Sequence, residues 1–343
     1  MRAALHRSHG GPEVIEIVDL PDPVLGPNDV LVAVRAAALN RLDLLQREGP
    51  VLLPGFALPH IAGMDVAGEV VAVGSAVESV RTGTRVVVNP ALQCGECAQC
   101  RSGDDAYCPH ALVVGGNHPG GFAELCRVPA SHVYEIPERF DYVEAATIPT
   151  IYSTAWHALF DCGELMIGET VLIHAAASGV STAAIQLAKR AGATVIATAG
   201  SDAKIEVARK LGADVAVNNR DTDWMRTVRA ATDGHGVDIV FDHVGPALFQ
   251  DSLFALRPRG RMVYCGTTTG AQATFNLPYA YHFGLRILGS DPYSYVEFGE
   301  MLSHYWSADY LPVIDSEFSL DELAAAQHKL ASGDVIGKVV IRT

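Results

Sequence analysis

Short apolar runs alternate with longer amphipathic stretches from about residue 150 onward, and no other pattern in the sequence restricts the fold as strongly. The runs are rich in β-branched residues, as buried strands are, whereas the stretches between them repeat their apolar residues at helical spacing. Because strands joined by helices run parallel in one sheet, this part of the chain is predicted to form a doubly wound α/β domain. The predicted strands are 170–173, 194–197, 214–217, 239–241 and 262–265, and the predicted helices are 181–191 and 203–211.

The first part of the chain, up to about residue 127, has a different pattern. Short strands at 30–34, 67–73 and 85–88 are separated by proline and glycine turns, which predicts a β-rich module. A last strand at 338–341 is expected to pair back with this module. The predicted domains are therefore 1–127 together with 288–343, and 128–287.

Charge and composition exclude several classes of protein. The 25 Lys and Arg residues against 39 Asp and Glu give a net charge of -14, which repels polyphosphate backbones and anionic membranes. Neither a nucleic acid nor a membrane is expected as a partner. The first residues contain no apolar run, so no secretory signal is predicted and a cytoplasmic location is expected. The most apolar window, 171–188, contains polar residues and a glycine and is not predicted to span a bilayer.

Four of the seven cysteines follow the pattern C-x2-C-x2-C-x7-C, within a lobe predicted at about 90–110. In a reducing compartment such a cluster indicates a metal site rather than disulfides. Four thiolates can close a tetrahedral Zn²⁺ site with no open position, as in structural zinc sites, while an iron–sulfur cluster is the alternative. The predicted ligands are Cys94, Cys97, Cys100 and Cys108. The scattered Cys126, Cys162 and Cys265 are expected to be small buried apolar residues.

A loop of small residues follows the first predicted strand of the α/β domain and precedes its first helix. Small residues let the backbone approach a pyrophosphate, whose charge is met by free N–H groups and the positive end of the helix. One glycine stands where the dinucleotide fingerprint has three, so an ordinary strand-to-helix turn is the alternative. The loop residues expected to bind a dinucleotide are Ser178, Gly179, Val180 and Ser181.

The end of the second strand of this domain distinguishes the two nicotinamide dinucleotides. An acidic residue there would bind the ribose 2′-hydroxyl and repel a 2′-phosphate, but this strand is followed by Gly200 and Ser201. Ser201 and Lys204 are expected to bind the 2′-phosphate, which favours NADP(H), with NAD(H) as the alternative. Asp202 is expected in the first turn of the next helix rather than at the ribose.

Several motifs, in this order, resemble the medium-chain dehydrogenase/reductase superfamily over essentially the whole chain. They are Gly10-Gly11-Pro12-Glu13-Val14, the four-cysteine lobe, Thr154-Ala155-Trp156 before the nucleotide loop, and Gly337-Lys338-Val339-Val340. The resemblance implies a GroES-like β-rich catalytic domain, a Rossmann cofactor domain, and assembly into a homodimer or homotetramer. The first motif is typical of the quinone oxidoreductase branch, whereas the cysteine lobe is more usual among zinc alcohol dehydrogenases.

Zinc alcohol dehydrogenases hold a second, catalytic zinc, and this chain departs from them at the corresponding positions. Asn40, Met64 and Thr150 stand there, and none of these residue types is a good zinc ligand. Asp65 and nearby Asp43 offer carboxylates, which are too few for a tight catalytic site. The Asn-x-x-Asp pattern instead resembles the zinc-free quinone oxidoreductases and enone reductases, which transfer hydride from nicotinamide to a quinone or to the β-carbon of an activated alkene.

The same resemblance implies a set of site residues. Asn40 would lie near the nicotinamide and hydrogen-bond a substrate oxygen as negative charge develops. Tyr152 is a candidate proton donor, with a packed, hydrogen-bonded hydroxyl as the alternative. Relatives usually have Asn-Tyr where this chain has Asn218-Asn219, so a tyrosine contact to the adenosine phosphate is lost. The residues placed at the substrate or the cofactor are Asn40, Asp43, Asp65, Thr150, Tyr152, Thr154, His243, Val244, Gly266, Thr267 and Lys338, the last beside the phosphates.

The sequence therefore predicts an NADPH-dependent oxidoreductase that reduces a quinone or an α,β-unsaturated carbonyl, with one structural zinc per subunit and no catalytic zinc. One alternative is an alcohol dehydrogenase in which Asp65, Asp43 and water hold a weak second metal ion. The other is a protein that binds the cofactor without turnover.

Overall fold

The computed structural model describes residues 1–49 and 53–343. They form two compact units. The first consists of Met1–Thr150, Ser294–Ala308 and Pro312–Thr343, and the second of Ile151–Tyr293 and Asp309–Leu311. None of the described helices combines the length and the apolar character needed to cross a bilayer.

The strands and helices are numbered along the chain. The strands are β1 (Arg2–His6), β2 (Ile15–Asp19), β3 (Asp29–Ala38), β4 (Asp65–Val73), β5 (Arg85–Val88), β6 (Ala91–Leu92), β7 (Leu112–Val113), β8 (Leu125–Pro129), β9 (Val133–Glu135), β10 (Thr170–Ile173), β11 (Thr194–Ala199), β12 (Val215–Asn218), β13 (Val237–Asp242), β14 (Leu256–Tyr264), β15 (Arg286–Gly289), β16 (Ile314–Ser319) and β17 (Lys338–Arg342). The helices are α1 (Arg41–Glu48), α2 (Ala98–Ser102), α3 (Tyr142–Ala146), α4 (Pro149–Trp156), α5 (Gly179–Arg190), α6 (Asp202–Lys210), α7 (Trp224–Ala230), α8 (Phe249–Ala255), α9 (Leu277–His282), α10 (Tyr295–Ser307) and α11 (Leu323–Ala331), and a π-helical turn covers His157–Cys162.

The first unit is built on a sheet with the strand order β16-β17-β3-β4-β5-β9. The central strand β3 is long enough to pair with β4 on one side and with two shorter strands, β8 and then β17, on the other. Val30, Val32 and Val34 of β3 are buried in the core of this unit, as alternation along a strand predicts. The predicted return of the C-terminal strand to this module is confirmed by the pairing of β17 with β3.

The second unit contains a sheet whose described strands are all parallel, in the order β12-β11-β10-β13-β14-β15. Counted along this unit, that is the order 3-2-1-4-5-6 of a Rossmann fold. Strands β10, β11 and β13 are buried almost throughout, which accounts for the apolar runs in the sequence. The predicted doubly wound fold is confirmed.

The boundary between the units differs from the predicted one at residue 127. Residues 128–150 belong to the first unit, because β9 pairs with β5 and therefore extends its sheet. At the other boundary, residues 288–293 and Asp309–Leu311 belong to the second unit, although the predicted first domain included them. Strand β9 could not be predicted from the sequence, because Val133–Glu135 is short, half-buried and without a strong alternation of apolar and polar residues.

Candidate active site

A cluster of polar side chains lies where three strands of the first unit meet. Asn40 follows the end of β3, while Asp65 and Lys338 are the first residues of β4 and β17. Both of these strands run antiparallel to β3, and Ala38 of β3 is level with Asp65 and with Val340. The end of one strand and the beginnings of two others therefore bring together residues that lie far apart in the sequence.

The ammonium group of Lys338 lies at the centre of this cluster. Its Nζ donates hydrogen bonds to the carbonyl oxygen of Leu39 at 2.7 Å, to Oδ1 of Asn40 at 2.7 Å and to Oδ2 of Asp65 at 2.9 Å. Lys338 is 4% exposed and Asp65 is fully buried, so this ion pair is shielded from water. An ammonium has three hydrogens, and here each has an acceptor.

The carboxylate of Asp65 is equally well satisfied. Its Oδ1 accepts hydrogen bonds from the backbone N–H of Thr150 at 2.9 Å and from the Thr150 hydroxyl at 2.6 Å. Its Oδ2 accepts from Nδ2 of Asn40 at 2.9 Å as well as from Lys338. A carboxylate has about four lone-pair positions, and four donors occupy them.

Asp43 supports the cluster from the first turn of α1. Its Oδ2 accepts the backbone N–H of Asn40 at 2.7 Å, and its Oδ1 accepts the backbone N–H of Gly63 at 3.0 Å. Burial raises the pKa of Asp43 to about 7, although these two hydrogen bonds and Lys338 act in the opposite direction. Asp43 therefore links the beginning of α1 to the backbone just before β4.

This cluster does not fit a catalytic metal ion. The Asn40 amide and the Thr150 hydroxyl are weak zinc ligands, and Asp65 has no lone pair to spare. The ammonium of Lys338 already provides the positive charge beside Asp65.

The resemblance places Lys338 beside the cofactor phosphates, and in the structure its ammonium makes its contacts with residues of the first unit. All three of its ammonium hydrogens are used within the first unit, so its contribution is to hold Asn40 and Asp65 in place. It also determines the orientation of the Asn40 amide, because Oδ1 faces the ammonium and Nδ2 faces the carboxylate. The second Nδ2 hydrogen makes a longer contact of 3.4 Å with the carbonyl oxygen of Ala38.

The small-residue loop that is predicted to bind a dinucleotide lies in the second unit, between β10 and α5. Ser178 caps α5, since its side chain accepts the backbone N–H of Ser181. The backbone N–H groups of Gly179 and Val180 have no acceptor in the described part of the chain. Two free donors at the positive end of a 12-residue helix fit a pyrophosphate, as the sequence predicted for this loop.

His243 ties this loop to the end of β13. Its Nε2 lies 2.9 Å from Oγ of Ser178 and 2.8 Å from Oγ of Ser181. The Ser181 hydroxyl donates to the carbonyl oxygen of His174 at 2.7 Å, so it accepts from the imidazole. Burial lowers the pKa of His243 to about 4, so the ring is neutral near pH 7 and acts as a hydrogen-bond donor.

The loops after β13 and β14 approach each other closely. A Cβ on Gly266 would lie 2.9 Å from Cβ of His243, which explains the need for glycine there. The backbone N–H of Val244 donates to Asp242 at 2.6 Å, and Thr267 accepts the backbone N–H of Gly270 at 3.0 Å. The predicted cofactor residues of these loops thus lie at the carboxyl edge of the parallel sheet, where such folds bind ligands.

Arg220 is a candidate cofactor residue that the sequence analysis missed. A Cβ built on Gly200 would lie 3.2 Å from its Nε, so the guanidinium covers the end of β11. Arg220 is exposed and makes no side-chain hydrogen bond or ion pair with any described residue. The available signal was its position just after β12, because β11 and β12 are parallel neighbours whose carboxyl ends meet.

Tyr152 and Thr154 lie on α4. Tyr152 is 3% exposed, its hydroxyl accepts a hydrogen bond from Nε2 of Gln186 at 3.1 Å, and its ring packs edge-on against Tyr310. These are the contacts of a packed, hydrogen-bonded tyrosine, the alternative weighed against its role as a proton donor. Thr154 is half-buried on the same helix.

The four-cysteine lobe lies between β6 and β7 of the first unit. The sulfur–sulfur distances are 3.6 Å for Cys94–Cys108, 3.8 Å for Cys97–Cys108 and 3.9 Å for Cys94–Cys100. A tetrahedral zinc with Zn–S bonds of about 2.3 Å separates its sulfurs by about 3.8 Å. The lobe therefore fits a structural zinc.

Two family models cover most of the chain. The alcohol dehydrogenase GroES-like domain matches residues 26–138, and the zinc-binding dehydrogenase domain matches residues 179–307. A quinone oxidoreductase of Pseudomonas aeruginosa is 32% identical over 97% of both chains. This chain belongs to the medium-chain dehydrogenase/reductase superfamily.

Other members of the superfamily have diverse names. An acryloyl-coenzyme A reductase of Metallosphaera sedula is 29% identical over the full length of both chains. The solved structure of an NAD-dependent alcohol dehydrogenase is 40% identical, covers both chains completely and superimposes with a TM-score of 0.96. The chain also matches a polyketide synthase subunit of Mycobacterium tuberculosis at 33% identity, but it spans 13% of the length of that protein.

Proposed function

We propose that this protein is an NADPH-dependent reductase that transfers a hydride to a quinone or to the β-carbon of an α,β-unsaturated carbonyl compound. It would contain one structural zinc per subunit, held by Cys94, Cys97, Cys100 and Cys108, and no catalytic metal ion. The observation that carries this proposal is the saturated cluster around Asp65, which offers no ligand set for a metal that would polarise an alcohol or a simple carbonyl.

The substrate class follows from that chemistry. A quinone or a conjugated carbonyl delocalises the negative charge that an incoming hydride brings, so it requires less electrophilic activation than an isolated carbonyl. When bound, the nicotinamide supplies the hydride. The second amide hydrogen of Asn40, which makes only the long contact to Ala38, is the donor this cluster can offer to a substrate oxygen. The names of the quinone oxidoreductase and acryloyl-coenzyme A reductase relatives support this class.

The cofactor residues are proposed from the second unit. The N–H groups of Gly179 and Val180 would bind the pyrophosphate, while His243 keeps the loop in place through Ser178 and Ser181. Ser201, Lys204 and Arg220 would surround the 2′-phosphate at the end of β11. Thr154, Val244, Gly266 and Thr267 are proposed to line the rest of the nucleotide site.

Steady-state assays with the purified zinc-containing protein test this function. We expect NADPH oxidation with a para-quinone, a short-chain enone or an enoyl thioester, and no NADP⁺ reduction with primary or secondary alcohols. Alcohol oxidation that is lost on mild chelation and restored by zinc would instead support the alcohol dehydrogenase alternative. Nucleotide binding without NADPH consumption by any acceptor would support the binding protein.

Replacing Arg220 with glutamine tests the cofactor preference. A charge-assisted hydrogen bond to phosphate contributes about 1.5–3 kcal/mol, so kcat/KM for NADPH should fall about 10- to 100-fold. The value for NADH should remain within about twofold, because NADH has no 2′-phosphate. Arg226 is also an exposed arginine, but it lies on α7. Arg226→Gln is therefore the matched control and should leave both kcat/KM values unchanged. An equal loss with both nucleotides would contradict a role at the 2′-phosphate.

A further inference from the structure

The π-helical turn His157–Cys162 of the second unit brings together a thiol, an imidazole and a carboxylate. In an α-helix, residues five apart point about 140° away from each other. A π-helical turn joins residues five apart by hydrogen bonds, as between Gly163 N and Ala158 O at 2.9 Å, and so brings such residues onto one side. Such turns are frequent at functional sites.

The three groups are arranged in a line. Sγ of Cys162 lies 3.3 Å from Nε2 of His157, and Nδ1 on the other side of that ring lies 3.6 Å from Oδ2 of Asp161. The imidazole is largely buried, whereas the Asp161 side chain is 61% exposed. Cys162 and Cys265 are partly exposed, contrary to the expectation of buried apolar residues, whereas Cys126 is buried. The sulfur of Cys162 also lies 3.7 Å from the carbonyl oxygen of Gly289.

This arrangement is the one that activates a sulfur nucleophile. The imidazole can take the thiol proton at Nε2, and the carboxylate beside Nδ1 stabilises the imidazolium that results. We propose that Cys162 is an activated thiol that forms covalent adducts with α,β-unsaturated carbonyl compounds. This reactivity requires no cofactor and is separate from the reduction proposed above.

The adduct forms by conjugate addition. The Cys162 sulfur bonds to the β-carbon of the alkene, and the electron pair of the carbon–carbon π bond moves to the α-carbon. The proton that His157 accepted then passes to the α-carbon. No oxidant or reductant is consumed, and the product is a thioether.

The other scattered cysteines are internal controls. Burial raises the pKa of the Cys126 thiol to about 12. Burial also raises the pKa of Cys265, with further contributions from the negative charges of Asp242 and Asp291 and from Cys162. Burial raises the pKa of Asp291, and the nearby His157 imidazole acts in the opposite direction. Asp291 is therefore a second carboxylate that interacts with the charge of His157. Among the described residues, no imidazole lies within hydrogen-bond distance of the sulfur of Cys126 or Cys265, whereas His157 lies beside Cys162.

N-ethylmaleimide, an activated alkene, is the probe for this proposal, with each cysteine followed separately by mass spectrometry in the full-length, zinc-containing protein. At pH 7 we expect Cys162 to be labelled at least about tenfold faster than Cys126 and Cys265. The labelling rate of Cys162 should change little between pH 6 and 8, whereas an ordinary thiol reacts about tenfold more slowly for each unit below its pKa of about 8.5.

Two substitutions test the partners. His157→Gln should slow labelling of Cys162 about tenfold at pH 7 and restore the pH dependence of an ordinary thiol. Asp161→Asn, at an exposed position that carries little risk to folding, should slow it two- to fivefold, by roughly the effect expected of one charge at this distance. Asp221→Asn, at another exposed aspartate, is the matched control. Unchanged labelling in both partner variants would overturn the proposal. If Cys162 were labelled only after a chelator is added, the proposal would also be overturned, because the thiol would be coordinated to a metal ion in the untreated protein.

Discussion

Replacement of Lys338 with methionine should lower the free energy of unfolding by about 3–5 kcal/mol and remove most of the reductase activity. The substitution leaves the buried carboxylate of Asp65 without its cation, and it frees the Asn40 amide from its oriented position. Urea denaturation of the pure protein measures the first effect. Steady-state kinetics at a temperature well below the unfolding transition of the variant measure the second.

Two controls separate this interpretation from its alternatives. In a double-mutant cycle, Lys338→Met combined with Asp65→Asn should be more stable than the sum of the two single losses predicts, because no unpaired charge remains. The Kd for NADPH should change little in Lys338→Met while kcat falls, since all three ammonium hydrogens are used inside the cluster. A large rise in that Kd with kcat unchanged would show that Lys338 contacts the cofactor phosphates after all.

Elemental analysis should find one tightly bound zinc per subunit, and Cys100→Ser should reduce it to nearly none. Structural zinc contributes apparent binding energies of about 10–16 kcal/mol in small zinc domains, so its loss should markedly lower the Tm of the variant. Cys126→Ser, which changes a buried cysteine outside the lobe, is the control and should keep its zinc.

The metal content also decides between the proposed function and its main alternative. Two tightly bound zinc ions in the wild type, with one retained in Cys100→Ser, would mean that the cluster of Asn40, Asp65 and Thr150 accommodates a metal. Alcohols and aldehydes would then be the first substrates to examine. Iron in place of zinc would favour an iron–sulfur cluster at the four cysteines, the alternative that their spacing alone left open.

The fold was largely readable from the sequence because its signals are local. Strand β10 was predicted with the bounds Thr170–Ile173 that the structure has, since a short apolar run between turns is a clear signal of a buried strand. The cysteine lobe was equally clear, because its ligands lie within fifteen positions of one another. The boundary between the two units could not be predicted in this way, because β9 joins the first sheet by pairing with β5, a strand almost fifty residues earlier.

For the candidate site, the sequence predicted which residues belong to it but not how they contact one another. Asn40, Asp65, Thr150 and Lys338 were all identified from the sequence. The residue types at the positions of the catalytic zinc ligands already indicated that no catalytic zinc is bound. Their mutual hydrogen bonds could not be derived, because Lys338 and Asn40 are separated by 298 positions and meet only where β17 and β3 pair. The approach of Arg220 to Gly200 has the same origin, since it depends on the order of strands in the sheet.

Sequence by itself therefore determined the class of the fold, the four-cysteine lobe and the position of the small-residue loop between β10 and α5, because each depends on periodicity or spacing within a few dozen residues. Tertiary structure alone showed that the ammonium of Lys338 pairs with Asp65 and hydrogen-bonds Asn40. It alone also showed that a π-helical turn sets Cys162 against His157. In both cases the deciding quantity is a distance of about 3 Å between side chains, and hydrogen bonds and ion pairs depend on that distance rather than on separation along the chain.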